Sequence, residues 1–343
     1  MFTELGKARE VAEAEQVITR DNTAVLTDVK QLYGRTEALK GVSFALEPGS
    51  IVGFLGRNGA GKTTTLRILS GFAPQSSGKV EVFGMEYGSD FEAITSRLGY
   101  LPEKPPLYPD MRVYDYLLFC GQLKGMTKQA TKERIETMSE EYGLEEVIDK
   151  HCFKLSKGYR QRVGLAQAFI HKPDLVLLDE PTAGLDPEQT QVTREIIKRN
   201  AGERTILLSS HLLSEVQQTC SRIIIIDDGE ILADNTQAAL SQEMSRRDIS
   251  CELTLADDKV DRVKKKILEA APGCEVKVSQ KDDDKDVKSF SISLAAESTL
   301  TPEKLSAILV ENGAGIRTFS ESKRSLEEIF LKYIEEKRGK QSE

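Results

Sequence analysis

The chain has 343 residues, 30% of them charged and 39% hydrophobic, which is typical of a globular protein and excludes a disordered or fibrous one. It carries 47 lysines and arginines against 55 aspartates and glutamates, and the net charge of −8 argues against broad, non-specific binding to nucleic acid. The five cysteines are odd in number and widely spaced, which favours free thiols in a reducing compartment over a disulfide framework.

No stretch has the length and apolar composition of a membrane-spanning helix. Aliphatic runs are short, as at Ile223–Ile226, whereas a spanning helix needs about 18–20 apolar residues. The N-terminus carries charges, among them Lys7, Arg9 and Glu10, and lacks the apolar segment of a signal peptide. We therefore expect a chain that neither crosses a membrane nor is exported by the usual route.

The first elements predicted in chain order are strands. Residues 1–22 are polar and are expected to form an N-terminal extension. Segments 25–33 and 38–46 alternate between apolar and polar residues, which predicts strands. A turn at Pro48-Gly49 leads to the short apolar run 51–55, which predicts a buried strand.

The middle of the chain alternates between helical and strand patterns. Residues 64–69 have helical composition after a glycine-rich loop, and 113–142 is predicted to be helical with a break at Gly125. The apolar runs 175–178 and 205–208 predict strands, each followed by helix-like sequence. This alternation predicts a mostly parallel sheet covered by helices.

The composition changes near residue 235, and the length of the chain is enough for about two domains. Residues 237–250 are polar and are predicted to be a linker to a second domain over 251–343. Its predicted strands are 251–255, 275–279, 287–294 and 316–319, and its predicted helices are 257–271, 302–312 and 326–337. The order βαββαβα is that of a small ferredoxin-like α/β module.

A phosphate-binding motif follows the buried strand. Gly56-Arg-Asn-Gly-Ala-Gly-Lys62-Thr63 matches G-x-x-x-x-G-K-[ST], with a predicted strand before it and a helix after it. The glycines let backbone N–H groups wrap a phosphate, Lys62 would reach the β- and γ-phosphates, and Thr63 would bind Mg²⁺. A glycine turn with a chance lysine is the alternative, and the strand–loop–helix context argues against it. The predicted nucleotide-binding residues are Gly56, Arg57, Asn58, Gly59, Ala60, Gly61, Lys62, Thr63 and Thr64.

A second motif supplies carboxylates. The apolar strand that begins at Leu175 ends in Asp179, at the carboxyl edge of the sheet, where this carboxylate can hold Mg²⁺ through water. Glu180 comes next and is suited to act as the general base that polarises an attacking water. Alone this pattern is weak, because many strands end in Asp-Glu, but paired with a phosphate loop it is specific.

With these motifs in place, residues 24–234 resemble the ATP-binding-cassette (ABC) ATPases. The segment 155–162 resembles the signature motif of that family, and the segment 183–186 resembles its D-loop. His211 resembles its switch histidine; the alternative is that His211 is an ordinary histidine at the end of a strand. Tyr33 is placed like the aromatic residue that stacks on adenine. The resemblance implies an ABC ATPase domain over 23–236: a P-loop cassette with a mostly parallel central sheet, an antiparallel β subdomain and a helical subdomain at about 104–160.

The resemblance also implies a second cassette. In this family ATP is held between the phosphate loop of one cassette and the signature motif of the other, so this chain is expected to form a dimer, with itself or with another cassette. The residues implied to meet the partner-bound ATP are Ser156, Lys157, Gly158 and Tyr159, with Asp186 in the D-loop. From the residues alone, Ser156 is expected to cap a helix that begins near Lys157.

Three positions depart from the pattern of the family. Glu103 stands where the family usually has glutamine, Tyr159 replaces the final glutamine of the signature, and Arg57 replaces a common proline. A carboxylate at 103 could still bind Mg²⁺, but it adds negative charge beside a triphosphate and cannot donate a hydrogen bond unless protonated. Because Lys62, Asp179 and the predicted catalytic pair Glu180 and His211 are all present, we expect ATPase activity.

Other segments bear on partners. The proline-rich stretch 104–110 is by itself only a stiff surface connection, while the resemblance implies that a membrane subunit docks in this region. A cassette followed by a small domain that ends in the sequence 325–331 resembles the ABC-2-type ATPases, although that domain could equally be a packing module with no regulatory role. The Leu-Pro-Glu variant at 101–103 and the Leu-Ser-Lys-Gly-Tyr variant at 155–159 most resemble the gliding-motility and copper-linked nitrous-oxide-reductase-maturation branches. The charged run 281–286 predicts a solvated turn, with Ca²⁺ binding a remote alternative because EF-hand spacing is missing.

The leading functional hypothesis is an ATPase subunit that drives separately encoded, integral membrane permease subunits from the cytoplasmic face of the inner membrane, with ATP and Mg²⁺ as cofactors. The alternative is a soluble ABC protein that acts on ribosomes or DNA. Such proteins usually carry two cassettes, a coiled-coil insertion or a basic tail, and the sequence shows none of these. A GTPase is disfavoured because no Asn-Lys-x-Asp sequence is present.

Overall fold

The computed structural model describes residues 22–281, 284–295, 298–323 and 328–329. The chain divides after Thr236 into two units, each with its own hydrophobic core. Within the described ranges, no helix is both long enough and apolar enough to span a membrane. The predicted N-terminal extension, apart from Asn22, and nearly all of the predicted closing helix 326–337 lie outside these residues.

A six-stranded sheet forms the centre of the first unit. Its strands are β3 Ile51–Leu55, β6 Leu98–Leu101, β7 Leu175–Asp179, β8 Thr205–Ser210, β9 Arg222–Asp227 and β10 Glu230–Thr236. Their order is β10-β9-β3-β8-β7-β6, and every pairing is parallel except that of β10 with β9. All residues of β3, β7 and β8 are buried, as expected where helices cover both faces of a parallel sheet.

An antiparallel sheet packs against this core. Its strands are β1 Ala24–Tyr33, β2 Thr36–Leu46, β4 Ser77–Val82 and β5 Met85–Glu86, in the order β2-β1-β4-β5. The ring of Phe44 lies 5.6 Å from that of Phe54 in the central sheet, so the two sheets share one apolar core. The two strands predicted over 25–33 and 38–46 are thereby confirmed.

Within residues 22–236, seven α-helices cover and extend the central sheet. They are α1 Lys62–Leu69, α2 Phe91–Ser96, α3 Val113–Leu123, α4 Lys128–Glu141, α5 Lys157–Phe169, α6 Pro187–Arg199 and α7 Leu213–Thr219. Gly125 lies between α3 and α4 with φ +85°, which confirms the predicted break. Thr127 caps α4, accepting a hydrogen bond from the Ala130 N–H.

The second unit contains a four-stranded antiparallel sheet. Its elements are α8 Gln237–Met244, β11 Arg247–Thr254, α9 Asp257–Ala270, β12 Glu275–Lys281, β13 Asp284–Leu294, α10 Pro302–Glu311 and β14 Gly315–Lys323. The strand order β12-β13-β11-β14 and the βαββαβ succession from β11 to β14 are those of a ferredoxin-like module.

The prediction of a linker over 237–250 is wrong. The segment forms α8 and the first half of β11. Ile249, Cys251 and Leu253 are buried at alternate positions, so the polar residues between them lie on the other face of the strand. In α8, Leu240 is buried. One buried leucine among polar residues gives no amphipathic pattern, so the sequence of this segment does not predict a helix.

Strand β6 approaches helix α5 so closely that no side chain fits between them. A Cβ added to Gly99 would lie 2.1 Å from the carbonyl oxygen of Ala168 and 3.1 Å from Cγ of Pro173. Because the nearest obstacle is backbone, repacking of side chains cannot relieve the overlap. Gly99 therefore sets how near α5 lies to the sheet.

We expect Gly99→Ala to lower the free energy of unfolding by about 1–3 kcal/mol or more, because the added methyl group forces β6 and α5 apart. Urea unfolding followed by circular dichroism measures the change. Gly315→Ala is the matched control, since its Cβ would meet Thr254 at an ordinary 3.5 Å. An unfolding midpoint of Gly99→Ala equal to that of the wild type would contradict the prediction.

Lys124 and His171 share one carbonyl oxygen at the start of β6. Lys124 Nζ donates to Leu98 O at 3.0 Å and to Thr95 O at 2.7 Å, and His171 Nε2 lies 3.2 Å from Leu98 O. Burial and the nearby ammonium lower the pKa of His171 to about 4, and burial lowers that of Lys124. The folded chain thus keeps His171 neutral.

Because the pKa of His171 is lower in the folded than in the unfolded chain, the unfolded chain binds more protons between pH about 6.5 and about 4. The free energy of unfolding should therefore fall as the pH drops through this range. We expect His171→Gln, which keeps a donor but does not titrate, to lose less stability than the wild type between pH 7 and pH 4.5 in thermal unfolding. Parallel curves for the two proteins would refute this assignment.

Candidate nucleotide-binding site

The loop between β3 and α1 is shaped by its glycines. Gly59 and Gly61 have φ of +84° and +109°, values that residues with a side chain rarely adopt. A Cβ added to Gly56 would lie 2.4 Å from Ile226 O, and one added to Gly61 would lie 2.9 Å from Ala38 O. The loop can therefore follow this path only with glycine at these positions.

Lys62, the first residue of α1, is held by the loop that precedes it. Its Nζ donates to Gly56 O at 2.6 Å and to Arg57 O at 3.2 Å, and only 5% of the side chain is exposed. The same Nζ lies 3.2 Å from Oε1 of Glu180. The ammonium is thus fixed between the loop and the end of β7.

Glu180 joins three elements of the site. Its Oε1 faces Lys62, and its Oε2 lies 2.8 Å from Nδ1 of His211, just beyond the end of β8. Its backbone N–H donates to Oγ of Ser209 at 2.9 Å. The residue itself has φ +47°, a left-handed conformation unusual for glutamate. This backbone turn points the carboxylate back toward the phosphate loop.

Asp179 lies beneath the cavity and is wholly buried. Its Oδ1 accepts a hydrogen bond from Ser209 Oγ at 2.7 Å, while Oδ2 has no hydrogen-bond partner. A buried carboxylate oxygen without a partner is costly, and a cation or a cation-bound water would satisfy it. The residues present therefore fit a Mg²⁺ ion. Among the described residues, no group of three or more acidic, histidine or cysteine side chains forms a metal site by itself.

These residues surround an open cavity of about 370 Å³. It is lined by Ala38, Arg57, Asn58, Gly59, Gly61, Lys62, Thr63, Thr64, Glu103, Glu180, Ala183 and His211. Ten of these twelve residues were predicted as site residues from the sequence. Ala38 and Ala183 were not: Ala38 is a small residue of β2 with no motif to mark it, and Ala183 belongs to the predicted D-loop but was not singled out.

Other predicted site residues lie outside the cavity lining. Gly56 and Ala60 support the loop, and Tyr33 ends β1 with 47% of its surface exposed. Ser156 caps α5, its Oγ accepting from the Tyr159 N–H as expected, and Asp186 caps α6. The signature residues and the predicted D-loop aspartate are therefore not part of the cavity that contains Lys62.

The signature segment packs directly on the D-loop and on α6. A Cβ added to Gly158 would lie 2.3 Å from Oε1 of Gln189, and one added to Gly184 would lie 2.2 Å from Nζ of Lys157. Tyr159 turns the other way: its hydroxyl lies 3.3 Å from Glu146 Oε2, and the guanidinium of Arg162 stacks over its ring at 4.2 Å. The segment is thus held on both sides.

Comparison with known proteins decides the family. The sequence profile of the ABC transporter family matches residues 39–183. The bacitracin transport ATP-binding protein BcrA of Bacillus licheniformis is 34% identical over 312 residues, which cover 90% of this chain and 96% of that protein. The chain belongs to the ABC transporter ATP-binding proteins. The linearmycin resistance ATP-binding protein LnrL of Bacillus subtilis (strain 168) is 35% identical over 63% of this chain and 70% of its own length.

Solved structures of ABC cassettes agree with this fold. The ATP-binding subunit of an ABC transporter superposes with a TM-score of 0.60 at 26% identity, over 64% of this chain and 92% of that one. The cassette MJ0796, a dimer in a post-hydrolysis state with ADP and phosphate, gives 0.58 at 23% identity, over 62% of this chain and 98% of that one. The predictions of an ABC fold, ATP binding and ATPase function are confirmed.

Ser209 positions both carboxylates of this ABC site, since its hydroxyl bonds Asp179 and the Glu180 N–H. We expect Ser209→Ala to lower the free energy of unfolding by about 1–3 kcal/mol, because it leaves the buried Asp179 carboxylate without a donor. It should also lower the ATPase rate. Ser70→Ala, which removes a hydroxyl bonded near the surface, is the control for both measurements. Equal effects of the two changes would contradict the prediction.

Proposed function

We propose that Lys62, Glu180 and His211 form the hydrolytic centre of this ABC ATPase. The observation that carries the proposal is the convergence of two side chains, Lys62 and His211, on the carboxylate of Glu180 at a glycine-lined cavity. The triphosphate of ATP would lie in the loop 56–64, bound by its N–H groups and by Lys62. Adenine would stack on Tyr33, at the exposed end of β1.

Hydrolysis would proceed by attack of water on the γ-phosphorus. Glu180 would accept the proton of the water as the new P–O bond forms, and the bond to the β-phosphate oxygen breaks to release ADP. His211 would hold the Glu180 carboxylate and contact the γ-phosphate. Mg²⁺, when bound, would neutralise charge on the phosphates, and Thr63, Asp179 and Glu103 are the residues that would hold it.

We propose further that the chain acts as a dimer of cassettes. The support is that Ser156, Lys157, Gly158, Tyr159 and Asp186 do not line the cavity of their own chain. The capped N-terminus of α5 would supply N–H groups and positive potential to ATP held by a second cassette. ATP would close the dimer and hydrolysis would reopen it.

This dimer would drive a conformational change in a membrane permease that is encoded separately. Relatives are described as a bacitracin transport ATP-binding protein, a linearmycin resistance ATP-binding protein and a Nod factor export ATP-binding protein, which supports a role in transport. The ABC-2 type is proposed from the small second domain that follows the cassette. The chain would then lie at the cytoplasmic face of the inner membrane, attached through its partner. Isolation of a tagged chain from membranes, with identification of co-purifying membrane proteins, tests this part; co-purification with ribosomes instead would support the alternative.

The hydrolytic centre is tested by Glu180→Gln. We expect ATP binding to remain while the rate falls by about 100-fold or more, because the amide cannot accept the proton of the water. ATP and Mg²⁺ should then trap a dimer, seen by size-exclusion chromatography with light scattering.

Glu136→Gln, an isosteric change at an exposed site on α4, is the control and should behave as the wild type. Lys62→Ala should lose ATP binding. The site assignment is wrong if Glu180→Gln stays monomeric with ATP and Mg²⁺ while Lys62→Ala hydrolyses ATP normally.

A further inference from the structure

The cavity that would hold a polyanion is not lined by an excess of cations. His211 aside, its ionisable lining residues are Arg57 and Lys62 on one side and Glu103 and Glu180 on the other, so two positive groups face two negative ones. A nucleoside triphosphate without metal carries about one negative charge on each phosphate group and about one more on the terminal phosphate. Side-chain charge alone therefore does not attract it.

The buried cation of the two, Lys62, is also engaged elsewhere. Lys62 lies 3.2 Å from Glu180 and donates to two loop carbonyls. Arg57 is exposed and lies between this cavity and a neighbouring depression that includes Asp227 and Asp228. The positive potential left for phosphates thus comes from the solvent-exposed Arg57 and from the backbone N–H groups of the loop and the first turn of α1.

Glu103 is the carboxylate of the cavity that has no positively charged partner among the described residues. It follows β6 by two residues, is exposed, and makes no side-chain hydrogen bond or ion pair within the described part of the chain. Glu180, in contrast, is bonded to Lys62 and His211. Any phosphate that enters the cavity meets the full charge of Glu103, whereas the charge of Glu180 is already compensated.

We infer that Glu103 makes nucleotide binding depend on a divalent cation, so that the site selects the metal complex of ATP over free ATP. Without metal, the carboxylate repels the phosphates; with metal, the same carboxylate and the phosphate oxygens share the cation. The inference rests on the proposed nucleotide site and assigns to Glu103 a role in selectivity, separate from proton transfer.

Equilibrium binding of trinitrophenyl-ATP to the full chain, in excess Mg²⁺ and in excess EDTA, tests this inference. For the wild type, we expect binding in EDTA to be weaker by about tenfold or more, the scale of one unscreened charge pair near a protein surface. Glu103→Gln, which keeps size and removes charge, should strengthen binding in EDTA several-fold and so shrink the ratio between the two buffers. Raising the salt concentration should shrink the ratio for the wild type as well.

Glu136→Gln is the matched control, because it removes the same charge from an exposed position on α4 and should keep the wild-type ratio. An unchanged ratio in Glu103→Gln, or an equal weakening in both buffers, would overturn the inference while leaving the nucleotide site standing. Failure of the folded wild type to bind even in Mg²⁺ would instead overturn the proposed function, and this inference with it. Circular dichroism establishes that each variant is folded.

Discussion

The ion pair between Lys62 and Glu180 is the contact on which the site depends. It joins the helix after the phosphate loop to the end of β7, across the intervening strand β8. Both side chains are largely buried, so removal of either would leave the other charged and unpaired in a poorly solvated place. The pair therefore constrains both the sheet and the loop.

The parallel sheet makes this pairing possible. Because β3, β8 and β7 are neighbours and run in the same direction, the residues after their carboxyl ends meet at one edge. Lys62 and Glu180 are brought together in this way although they are far apart in the chain. Ser209 fixes the relative position of Asp179 and Glu180 with one hydroxyl. Strand β6 pairs in parallel with β7, so Glu103, two residues after β6, follows the same edge.

Local patterns in the sequence were enough to predict much of this arrangement. The residue spacing in the loop 56–63 and in the apolar run before Asp179 predicts a phosphate loop and a buried strand. The serine before Lys157 predicts a helix cap. What sequence reasoning missed depends on tertiary neighbours. Ala38 reaches the cavity only because Gly61 lets the loop approach β2, and the segment 237–250 is polar except where alternate residues such as Ile249 turn inward. Neither the sequence around Ala38 nor that of residues 237–250 contains a pattern that predicts these tertiary contacts.

The left-handed backbone of Glu180 has a consequence for how the protein can evolve. Holding a glutamate at φ +47° costs about 1–2 kcal/mol, and glycine would relieve that cost. Glycine would also leave the buried ammonium of Lys62 without its carboxylate, so the gain in backbone energy would be offset by an unpaired buried charge. Position 180 is therefore constrained twice: the backbone conformation favours glycine, and the charge of Lys62 favours a carboxylate.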